Sequence, residues 1–152
     1  MKSPMKKITF NDSNPSQGSM LFQIGSPSIY ILAEVDSKAP FYIGEYGKSS
    51  KYNVISRIKS HFGKHNTLSR VAQNIPAFKH VIPPSVCAYI KVLPEEFKCQ
   101  KNRASLEAWL IYKVCHVKKI QDSRFCVTKY IAPLFDHSAL AEEIIMEFQN
   151  YK

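Results

Sequence analysis

The stretch Ser28-Ile-Tyr-Ile-Leu-Ala-Glu-Val35, followed by Asp36-Ser-Lys-Ala-Pro40 and then Phe41-Tyr-Ile-Gly44, decides how this chain folds. Its first eight residues are mostly apolar and rich in β-branched and aromatic side chains, the next five break the run, and the apolar character resumes at Phe41. A strand-forming run, a break and a second run describe a β-hairpin. Upstream, residues 1–27 are rich in Ser, Asn and Pro around Met20-Leu-Phe22, the composition of a loose N-terminal arm. Downstream, Gly47, Ser49 and Ser50 make a loop, and Asn53 caps a helix running to about residue 62. A polar stretch with a short helix over residues 68–74 follows, then Pro83 and Pro84 introduce a third strand over residues 86–92. Pro94 ends that strand, a helix is expected over residues 102–117, and a strand-like piece (125–131) and a helix (138–150) close the chain. The reading is α+β: a small three-stranded antiparallel sheet flanked by helices, with the core in residues 28–117 and residues 118–152 packed on it.

The chain has 152 residues, enough for one domain with a substantial core, and 45% of them are hydrophobic, which excludes a disordered basic tail. The longest uncharged stretch, Ser13 to Ala33, contains Pro15 and Pro27 among several Ser and Asn, so no bilayer crossing is expected. The basic N-terminus has no apolar segment behind it, which argues against a secretory signal and for the cytoplasm. Cys87, Cys99, Cys115 and Cys126 show no Cys-x-x-Cys spacing and read as reduced thiols rather than zinc ligands. The net charge of +9 is unevenly placed. Residues 46–130 hold sixteen basic side chains against four acidic ones, a block of +12, while the flanking segments are neutral or acidic. Such a block, interleaved with aromatic and β-branched residues, fits a folded surface for a polyanion, with nucleic acid the leading candidate over a generic solvated face.

Two helices carry sharper signals. At about 100° per residue, Leu106, Leu110, Ile111 and Val114 form one apolar stripe, and Glu107 falls inside it. Burying a lone carboxylate costs several kcal/mol unless a cation or strong donors meet it. Glu107 is therefore either half of a structural salt bridge or a ligand for a hard divalent cation. In the helix after Asn53, Val54, Ile55, Ile58 and Phe62 form the apolar face, and Arg57 and His61 project side by side along its edge. An arginine there can hold a phosphate through two parallel hydrogen bonds.

These residues together resemble the GIY-YIG nuclease family. Ser28-Ile29-Tyr30 stands where the family has its first tripeptide and Tyr42-Ile43-Gly44 where it has the second. Arg57 and His61 match the Arg-x-x-x-His of the following helix, and Glu107 matches the single glutamate of the later one. Ser28 replaces a glycine, and the longer gap between Gly44 and Arg57 sets Lys48 and Lys51 on an inserted loop. His65 corresponds loosely to a second histidine of some members, and an asparagine that several members carry has no counterpart here.

The resemblance implies a GIY-YIG-like core and metal-assisted hydrolysis of a phosphodiester. Glu107 would hold one Mg²⁺ (or Mn²⁺) per active site, Arg57 would bind a non-bridging phosphate oxygen, and Tyr42 would hydrogen-bond beside Tyr30. Tyr30 would take a proton from the attacking water or orient it; since tyrosine titrates near pH 10, it needs help from neighbouring positive charge or works as a relay. His61 would accept a proton or contact the phosphate. Lys48, Lys51, Lys64 and Arg70 are the expected contacts to DNA. Among family members, the stand-alone restriction endonucleases are most similar in size, implying site-specific cleavage and, on a palindromic target, a homodimer. A repair or recombination nuclease acting on branched DNA, or an inactive nucleic-acid-binding module, are the alternatives. Neither a membrane partner nor an organic cofactor is expected.

Overall fold

A computed structural model of the protein describes residues 3–9, 25–47, 53–60, 86–121, 125 and 132–152. The hairpin forms as expected. Strand β2 (Ser28–Glu34) pairs antiparallel with β3 (Pro40–Tyr46), with Tyr30 opposite Gly44. The register shifts between Leu32 and Ala33, opposite Tyr42 and Pro40, so Phe41 is the extra residue of a β-bulge. The connecting turn puts Lys38 in the left-handed region at φ 58° and aims its ammonium at the carbonyl oxygen of Tyr151, 2.9 Å away.

The sheet has four strands rather than three. Strand β4 (Val86–Val92) pairs antiparallel with β2, and β1 (Lys6–Thr9), inside the segment read as a loose arm, pairs antiparallel with the outer side of β4. The order is therefore β1-β4-β2-β3. Four residues with two adjacent lysines carry little strand signal of their own; β1 is made by the backbone groups that β4 offers along its free edge, and the lysines suit an edge position.

Both faces of the sheet are covered, which is why its strands are almost continuously apolar. On one face Tyr30, Leu32, Tyr42, Ala88 and Ile90 pack under Val54, Ile55 and Ile58 of α1 (Val54–Ser60). On the other, Ile29, Ile31, Ile43, Cys87 and Tyr89 meet α2 (Gln100–Tyr112) and α3 (Ser138–Asn150). Asn53 caps α1 as its sequence suggests, its Oδ1 accepting from the backbone N–H groups of Ile55 and Ser56. Helix α2 starts two residues earlier than its pattern indicates, after a 3-10 turn at Glu95–Lys98, and its last turn widens into a π-turn at Lys113–Val117. The chain before α3 is fastened to α2: Ser105 Oγ accepts from the N–H groups of Leu134 and Phe135, and Trp109 Nε1 donates to the Phe135 carbonyl. The helix expected over residues 68–74 and all but Phe125 of the strand-like piece lie outside the described residues. No helix among the described residues is long and apolar enough to cross a membrane.

Candidate active site

Strand period sets the first half of the site. Alternation along β2 turns Tyr30 toward α1, where it is 1% exposed, and places its ring over Gly44 of the neighbouring strand. A Cβ at Gly44 would overlap both the ring and its hydroxyl, so the position requires glycine for the ring to lie flat on the backbone. Tyr42 lies on the same face, stacked with Tyr30 at 6.2 Å between ring centroids and 25° between planes. The second tripeptide thus supplies one tyrosine and the glycine that receives the other.

The helices supply the charges. Arg57 is exposed on α1, one turn after the Asn53 cap. Its positive charge acts on both Tyr30 and Glu107, favouring the ionised form of each. Glu107 comes from α2, half-buried, and burial together with the negative charge of Glu45 pushes its carboxyl up to about 8 against the pull of Arg57. The salt-bridge reading of Glu107 finds no support: among the described residues its carboxylate has no ion pair and no hydrogen bond. Burial, then the Tyr42 hydroxyl, push Tyr30 well above its ordinary range; Glu107 and Glu45 add to this, and Arg57 opposes it. Tyr30 is a neutral phenol at any ordinary working pH.

Two further residues belong to this neighbourhood and were not singled out by sequence reasoning. Arg103, one helical turn before Glu107, is 2% exposed. Its Nε donates to Glu45 Oε2 at 2.6 Å, and its Nη1 donates to the carbonyls of Phe97 (2.9 Å) and Lys98 (2.7 Å). Gly47 lies against the guanidinium, where a Cβ would come within 2.8 Å of Nη1. The signal was present. Arg103 falls in the same apolar stripe as Glu107, and alternation along β3 puts Glu45 on the core-facing side with Ile43. Two opposite charges on facing apolar surfaces point to each other.

His61, His65, Lys48, Lys51, Lys64 and Arg70 lie outside the described residues. The structure therefore brings together Tyr30, Tyr42, Arg57 and Glu107 from the expected set. Among the described residues no group of three or more metal-binding side chains gathers; a cation held here would take Glu107 as a ligand, with water and substrate oxygens available to its shell. That donor set suits Mg²⁺, which commonly binds through one or two carboxylates plus phosphate. A half-buried carboxylate that no ion pair holds, and whose burial Arg57 only partly offsets, fits such an ion, because a cation relieves the cost that raises its pKa. The chain matches no protein-family model, no curated protein and no solved structure.

Proposed function

We propose that this protein is a metal-dependent endonuclease of GIY-YIG type that hydrolyses phosphodiester bonds in DNA, with site-specific cleavage of the restriction type as the favoured form. The observation that carries this reading is Glu107, a half-buried carboxyl with no ion pair or hydrogen bond among the described residues, whose charge acts on Tyr30 and which itself feels the charge of Arg57. A scaffold that only binds nucleic acid has no physical need for a half-buried acid that costs stability when it ionises.

When bound at Glu107, a divalent cation would neutralise charge on the scissile phosphate and stabilise the leaving oxygen. Arg57, exposed at the rim, would hold a non-bridging oxygen as negative charge builds. Tyr30 is too firmly protonated to serve as a resident phenolate, which favours the relay over the direct base: its hydroxyl would accept a hydrogen bond from the attacking water and pass a proton along its neighbours. Tyr42, stacked on it, would fix the ring that carries that hydroxyl. The +12 block over residues 46–130 would bring the duplex to the site.

Incubation with supercoiled, linear and branched DNA tests this, with and without Mg²⁺. Discrete fragments that require Mg²⁺ are expected. Nicks or smears restricted to branched DNA would assign the chemistry to repair or recombination, and salt-sensitive binding without cleavage at any metal concentration would reduce the protein to a binding module.

A further inference from the structure

We propose that Arg103 is a positioning residue for Glu107, acting through a buried strut to Glu45 that sets the height and rotation of α2 against strand β3. The proposal rests on the endonuclease reading for its purpose, though not for its geometry. Arg103 is buried and spends its guanidinium on three acceptors from two places: Glu45 on β3, and the Phe97 and Lys98 carbonyls in the turn that starts α2. Gly47, two residues past Glu45, leaves the guanidinium room to lie against the backbone.

The strut is built where it matters for the carboxylate. Arg103 and Glu107 are four residues apart on α2, one turn along the same face. Glu45 lies three residues past Tyr42 on β3 and one past Gly44, which seats Tyr30. A planar fork with fixed donor directions admits one arrangement of helix and strand, whereas an apolar contact would admit several. Holding Arg103 therefore holds Glu107 in register with both tyrosines. A buried ion pair adds little net stability over an apolar pair of equal size, and fixing geometry is the role best suited to it.

The test uses the full chain and Mn²⁺ as the probe, with affinity read by electron paramagnetic resonance and cleavage of supercoiled plasmid read in parallel. Arg103→Met is expected to weaken Mn²⁺ binding and slow cleavage by about tenfold or more while salt-dependent DNA binding stays at the wild-type level. Glu45→Gln keeps an acceptor for Arg103 and is expected to stay within about threefold of wild type, whereas Glu45→Ala drops to the level of Arg103→Met. If Arg103→Met fails to fold, the Glu45→Gln and Glu45→Ala pair decides alone: a clear difference supports the strut, and equal rates and affinities overturn it. Wild-type Mn²⁺ affinity in folded Arg103→Met overturns it as well. Mn²⁺ binding that depends on Glu107 and Arg103 in a protein that cuts no DNA would sustain the strut and defeat the nuclease reading. Absence of Glu107-dependent binding in the wild type would defeat both.

Discussion

Gly44 shows how closely one residue governs this site. With Tyr30 lying across it, Gly44→Ala must displace the ring, and stability should fall by about 1–3 kcal/mol in urea unfolding, the usual cost of overpacking. Unchanged stability would mean the ring has room that the structure denies it. Glu107 has the opposite character: its removal should stabilise the metal-free protein. Its pKa rises from about 4.3 unfolded to about 8 folded, so the folded state holds the extra proton between these values and stability drains away as pH rises through them. Glu107→Gln escapes that loss. Its stability in chelator, read by urea unfolding, should match wild type near pH 5 and exceed it at pH 8.5 by about 1–2 kcal/mol after discounting for the part of the carboxylate that reaches water. A gap independent of pH would contradict the assigned environment. Glu107 was legible in the sequence because it interrupts an apolar stripe among basic neighbours. Arg103 interrupts the same stripe, yet an arginine within a basic block looks like one more surface charge until the turn carbonyls that receive it are seen.

At the scale of elements, legibility followed the strength of the local pattern. Strands β2 and β4 and helix α3 lie close to where their apolar runs place them, because each run is bounded by turn residues or prolines and matches the period of its element. Strand β1 was not legible, since Lys6-Lys7-Ile8-Thr9 becomes a strand only through pairing with β4. The extra residue at Phe41 was equally hidden, because nothing in a hairpin sequence announces which side of it carries a bulge. Helix α1 illustrates how a local device serves the site. Its Asn53 cap holds the turn that carries Arg57, so Asn53→Ala should cost about 1 kcal/mol in thermal or urea unfolding. A loss well below about half that value would show that packing of Val54, Ile55 and Ile58 alone fixes the helix start.

Across the whole molecule, the sheet is a partition with one helical layer on each side, and the candidate site draws on all three layers. The tyrosines come from the sheet, Arg57 from one layer and Glu107 from the other. Linear spacing can name candidate members of the site but not what aligns them: Arg103 and Glu45 are 58 residues apart and meet only when α2 docks on β3. The +12 block spans residues 46–130 and contains both Arg57 and Glu107, so on the proposed function the attraction to a polyanion and the proposed cutting group would belong to one continuous stretch of chain. The most direct measurement compares wild type with Glu107→Ala on supercoiled DNA in Mg²⁺, with binding followed across a salt series. Mg²⁺-dependent cleavage is expected of the wild type, with its loss in Glu107→Ala by a factor of a hundred or more (~3 kcal/mol in the barrier) and an equally steep salt dependence of binding in both. Full cleavage by Glu107→Ala would contradict the proposed function.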